Sequence, residues 1–249
     1  MSDAATCRNC GTALTGRWCH ACGQDSRNPL RELRSLLEEF LDSALSWDSK
    51  LLTTLKVLAT SPGELTVAYV AGQRARYLGP VRLYLLLSLA YVTAYALLHG
   101  DPVLVYIAGG GDIVSGFDEI GRIERWLSLV LVLLMPLAAL IMALLFHRAG
   151  IPLVQHLVFV LHISGFSLVV WTLGRPLSYL AGALVHEVAE LVVSVAVNVP
   201  LAFYCYRAAR AHYGRGELDT FWRILLYGAA SAALIRGVVL LASRIVSGP

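Results

Sequence analysis

Cys7-Arg8-Asn9-Cys10 and Cys19-His20-Ala21-Cys22 form two C-x-x-C knuckles with eight residues between them. Each knuckle turns tightly enough to aim two thiols at one centre. Two of them supply the four thiolates of a tetrahedral zinc site. The alternative chemistry is a redox dithiol, but that normally uses one C-x-x-C at a strand–helix junction. Gly11, Gly16 and Gly23 fit the turns between and after the knuckles. His20 could replace one cysteine as a ligand, yet four thiolates already complete the coordination. Residues 7–24 are too short to bury a core, so metal binding is expected to supply their folding energy. The fifth cysteine, Cys205, stands in a hydrophobic run and reads as a small apolar packing residue.

The elements that carry this module are apolar. The 249 residues are 57% hydrophobic and 15% charged, with mean hydropathy +0.65. Soluble domains carry about 25% charged residues, so most of the chain is expected in lipid. Residues 1–28 contain no apolar stretch of the kind a cleaved leader needs, and the first span is expected to act as an internal anchor. A net charge of +3 gives no footprint for nucleic acid, and Arg8, Arg17 and Arg27 form no dense patch.

Between the knuckles and the membrane lie residues 29–79. Leu30, Leu33, Leu37, Phe40, Leu41 and Ala44 share one face of an amphipathic helix, capped by Asn28 with Pro29 in the first turn. It packs either on its neighbours or in the membrane interface. A second helix is predicted over Asp48 to Thr60. Ser61-Pro62-Gly63-Glu64 reads as a capping box that starts a third, ending near Gly72. Arg74, Arg76 and Arg82 approach the bilayer, each worth about 1 kcal/mol against anionic headgroups.

A spanning helix needs roughly 20 mostly apolar residues. The stretches Val81–Leu98, Trp126–Phe146, Leu153–Leu173, Leu177–Tyr206 and Phe221–Val246 qualify. The fold class expected is therefore an all-α polytopic membrane protein of about five transmembrane helices. A small N-terminal zinc ribbon (1–28), cytosolic juxtamembrane helices (29–79) and the bundle (80–249) are its parts. Arg74, Arg76 and Arg82 precede the first span, and Arg207, Arg210, Arg215 and Arg223 lie between the fourth and fifth. The positive-inside rule then puts the N-terminus in the cytosol and the C-terminus outside. Reduced, metal-bound cysteines ask for the same side. The loop over 99–125 holds Gly109-Gly110-Gly111 but lacks the Gly-Lys-Ser/Thr ending of a phosphate loop.

One series of residues resembles a known family. Cys7-x-x-Cys10-Gly11, Gly16-x-x-Cys19-x-x-Cys22-Gly23-Gln24, Pro62-Gly63, Tyr69, Gly72-x-Arg74-x-x-Tyr77-x-x-Pro80 and Tyr84 are similar to the DUF3667 family of bacterial membrane proteins. The likeness is strongest over residues 7–88. His162, in the run from His156, looks like a histidine such proteins carry in a middle span. The resemblance implies a zinc ribbon, several spans and a bacterial inner membrane, with Cys7, Cys10, Cys19 and Cys22 as structural ligands. It implies no activity.

Ionisable residues inside spans point to function by default. His162, Glu187, Glu190 and Arg236 fall at similar expected depths and form a candidate midplane cluster. The bland reading is that it holds the bundle together; the sharper one is proton or solute movement. His186-Glu187-Val188-Ala189-Glu190 lacks the second histidine of a zincin helix. No nucleophile elbow or Walker loop is present. Three classes remain: a membrane-anchored adaptor meeting a cytosolic protein through residues 1–79, a transporter or channel component, and a lipid-modifying enzyme. A closed four-thiolate site favours the adaptor, since it leaves no position for water on the metal.

Overall fold

The computed structural model describes residues 6–26, 50–98, 134–147, 151–184 and 187–247. The expected helix over 29–44 and the loop over 99–125 lie outside these residues. The described part is helical apart from short connecting segments and the knuckles, whose ends pair as isolated bridges, Thr6 with Ala13 and Trp18 with Asp25.

Helix α1 (Lys50–Thr60) turns Leu58 and Thr54 inward and leaves Leu52 outside. Thr54 then accepts the backbone N–H of Leu78 at 3.1 Å, which ties α1 to the chain entering the bundle. Helix α2 is short (Glu64–Val70) and ends in a Schellman motif. Gly72, at φ 95°, donates to the Tyr69 carbonyl, and Gln73 donates to that of Ala68 at 2.9 Å. Its start corrects the capping-box expectation. Gly63 is the N-cap at φ 85° and no side chain caps the helix. The reason is tertiary: a Cβ at Gly63 would stand 2.8 Å from the Ala208 carbonyl oxygen.

Pro80 opens α3 (Pro80–Leu98), where its missing N–H costs nothing. Helix α4 (Leu134–Leu145) follows. Then come α5 (Leu153–Leu184), α6 (Glu187–Tyr213) and α7 (Glu217–Ser247). Val158, Phe159, Val160 and Leu161 are consecutive and all buried, so this stretch of α5 is covered on every side. It packs on α3 and α6 and also meets α1 and α2. Leu58, Leu65, Ala68, Tyr77, Leu78 and Leu83 form one further cluster, so the juxtamembrane helices share a core with α3.

The boundary between the third and fourth predicted spans moves. Helix α5 continues through Pro176 to Leu184, and α6 begins at Glu187. Helices α5 and α6 run antiparallel, as the pairs Trp171–Asn198, Phe166–Tyr204 and His156–Tyr213 show. Among the described residues, Leu153–Gly174 and Glu217–Val238 are long and apolar enough to cross a bilayer. Pro80–Ala94 and Leu134–Leu145 are shorter apolar helices. Leu89, Leu144, Leu173, Val192, Val199, Phe203 and Leu226 are all exposed. That much apolar side-chain surface facing outward suits hydrocarbon better than water.

Candidate metal centre

The two knuckles are built alike. In the first, Cys7 N–H donates to the Thr12 carbonyl and Gly11 N–H to the Cys7 carbonyl, both at 2.8 Å. In the second, Cys19 donates to Gln24 at 2.9 Å and Gly23 to Cys19 at 2.8 Å. Gly11 and Gly23 take φ 75° and 73°, the left-handed turn that lets the chain reverse after the second thiol. The repeat explains why Cys-x-x-Cys-Gly suffices locally to aim its sulfurs.

The four sulfurs converge. Cys7 Sγ lies 3.6 Å from Cys22 Sγ, Cys10 Sγ lies 3.5 Å from Cys19 Sγ, and all four are within 4.8 Å of one another. A tetrahedral centre with metal–sulfur bonds of about 2.3 Å spaces its sulfurs about 3.8 Å apart. The cluster therefore fits a metal ion with little adjustment. His20 is exposed and stands outside it. Without metal, the Thr12 hydroxyl holds the Cys10 thiol down at about 6. Desolvation pushes Cys22 up to about 11. Coordination deprotonates all four whatever their starting points.

The centre is clamped to the helices by one side chain. Gln24 Nε2 donates to the Gly72 carbonyl at 2.7 Å, while its Oε1 accepts from the N–H groups of Arg74 at 2.9 Å and Ala75 at 3.1 Å. Gln24 also carries the carbonyl that accepts from Cys19, so the clamp begins at the metal knuckle itself. Arg8 of the first knuckle covers Gly72, and a Cβ there would come within 2.8 Å of its Cδ. The Gly72-x-Arg74 series thus receives the cysteine module.

From α2 the contacts continue into the bundle. Thr66 Oγ1 meets His162 Nδ1 at 2.9 Å, both groups buried. Tyr204 donates to the Leu58 carbonyl at 2.5 Å and stacks on Phe166. Neither Thr66 nor Tyr204 carries a sequence signal for such a role. Gln24 did stand in the family-like series, but nothing local shows what it would bind.

The candidate midplane residues are distributed differently. His162 sits at the level of Ala208, against Thr66. Glu187 opens α6 at the far end of the hairpin, roughly 30 Å along the helix axis. Glu190 is one turn further on. Arg236 is exposed on α7. The equal depths read from sequence assumed a break near Arg175; α5 runs on to Leu184, which takes Glu187 away from His162. His186 lies outside the described residues. Cys205 packs against the main core, as a small apolar residue does.

Residues 48–92 match the family model described as Protein of unknown function (DUF3667). Over these residues the chain is similar to that family. The matched segment covers α1, α2, the loop that Gln24 grips, and the first part of α3. No curated protein and no solved structure matches the chain.

Proposed function

We propose that this protein is a bacterial inner-membrane adaptor that presents a zinc ribbon to a cytosolic protein partner. Cys7, Cys10, Cys19 and Cys22 hold one structural Zn²⁺, and five helices cross the bilayer with the N-terminus inside. The observation that carries this reading is the clamp. A four-thiolate centre with no open coordination position is fastened by Gln24 to the loop entering the bundle. Such a centre builds a rigid surface rather than a reactive one.

Two further observations support it. Arg17 pairs with Asp25 at 3.2 Å and the aliphatic stem of Arg8 packs over Gly72, so one of the ribbon's arginines already has a carboxylate partner. Trp18 is 57% exposed beside Arg17, the kind of pair that anchors protein interfaces. The separation of His162 from Glu187 along the hairpin speaks for the adaptor over a midplane transport site.

The test is site-specific photo-crosslinking from position 18 of the full-length protein in native membranes. A discrete cross-linked protein, lost when a chelator strips the metal, is expected. Metal-loaded protein that yields no discrete product from the ribbon surface would overturn the adaptor reading.

A further inference from the structure

A groove of about 370 Å³ lies between α5 and α6, beneath the turn that joins α1 to α2. That is within the range of about 300–1,000 Å³ taken by small-molecule sites. Its walls are Phe166 and Val170 of α5, and Val197, Leu201 and Tyr204 of α6. At its apolar end the helices are close, and a Cβ on Gly174 would stand 3.0 Å from Val197. From there the groove runs along α6 to Arg207, roughly 15 Å by helical rise. It is an apolar slot with one cation at its mouth.

That cation differs from its neighbours. Arg210 pairs with Glu217, and both Arg215 and Arg223 pair with Asp219. Arg207 has no carboxylate partner among the described residues; its guanidinium lies 6.0 Å from the Phe203 ring centre. Phe203 is itself exposed, on the face that reads as lipid-facing. Thr60 and Pro62 of the α1–α2 turn line the groove as well, so on the reading of that turn as cytosolic Arg207 faces the cytoplasmic leaflet.

We propose that this groove binds one anionic phospholipid, with an acyl chain along Phe166, Val170 and Leu201 and its phosphate on Arg207. The proposal rests on the reading of α5 and α6 as membrane helices. Basic sites between membrane helices on the cytoplasmic side recognise anionic headgroups in this way. The apolar walls supply affinity for any chain; Arg207 supplies the headgroup preference.

Full-length protein, reconstituted in nanodiscs of mixed phosphatidylglycerol and phosphatidylcholine, is released into native mass spectrometry to count retained lipids. One phosphatidylglycerol per chain is expected, and Arg207→Gln should lower its preference over phosphatidylcholine about fivefold. Val170→Trp, which fills the slot, should remove the retained lipid of either kind. Because Arg207 is exposed, its variant should fold, and an unchanged melting temperature in lipid-free detergent checks this. Equal retention of the two lipids by the wild type would overturn the proposal. So would a preference that survives Arg207→Gln, or a lipid that survives Val170→Trp. Carbonate washing of native membranes separates the two levels: release of the chain would sink the membrane reading itself, whereas retention without bound lipid sinks the groove alone.

Discussion

At the scale of single residues, the centre makes two demands that can be separated. The sulfur spacing calls for one metal ion per chain, and Zn²⁺ fits the all-thiolate set. Elemental analysis of purified protein should give one zinc, and X-ray absorption should show four sulfurs at about 2.3 Å. Cys19→Ser should abolish binding, since Cys19 is buried at the centre. Lowering the pH should release the metal, because protons compete for every thiolate. Zinc-free protein with the cysteines paired as disulfides would refute the site. Gln24 tests the second demand. Gln24→Ala leaves two backbone N–H groups and one carbonyl without their partner, at a cost of about 1–3 kcal/mol. Zinc content should stay at one while the melting temperature falls. Gln24→Glu should recover little, since it still accepts from Arg74 and Ala75 but sets a carboxylate oxygen against the Gly72 carbonyl.

At the scale of elements, the α1–α2 turn is the joint between the cysteine module and the bundle. Gly63 has two reasons to be glycine: its positive φ, and a space that a Cβ would fill against Ala208 and Ala211. Gly63→Ala should cost about 1–3 kcal/mol in thermal or denaturant unfolding in detergent. Ala208→Gly should not rescue it, because the closest atom is the backbone oxygen of Ala208, which remains. Full rescue would show that the approach is a side-chain matter. Thr66 makes the companion prediction one turn later. Thr66→Val preserves shape but strips a buried nitrogen of His162 of its partner, at about 1–3 kcal/mol. The double variant Thr66→Val/His162→Leu should recover part of that loss, as it removes both halves of the polar pair. Additive losses would mean the two groups are not coupled.

At the scale of the whole molecule, the placement of the α5–α6 hairpin decides the topology experiment. A reporter inserted after Leu184 should read as extracytoplasmic in an otherwise intact protein. The same insertion after Arg175 should interrupt α5 and lower the yield of folded chain. Fusions at Pro80 and Gly214 should report the cytosol, and a fusion at Pro249 the outside. A cytosolic signal at Pro249 would mean an even number of spans.

The cysteine centre could be read from sequence because its geometry is local. Two Cys-x-x-Cys-Gly segments dictate their own turns, and convergence needs only that they meet. The apolar, helical character of the described bundle was equally legible, because apolar length is a sum over residues that no packing detail alters. What binds the parts together was not. Gln24 reaches residues about fifty positions away, and Thr66 meets His162 almost a hundred positions on. No local pattern encodes a partner at that separation. The hairpin was misplaced because Arg175 and Pro176 look like a break. A helix already started can carry proline where neighbouring helices and side chains satisfy the freed backbone groups. Sequence alone picked out the four converging cysteines and the apolar helices. Tertiary structure decided which residues fasten the one to the other, because long-range contacts depend on where whole helices come to rest.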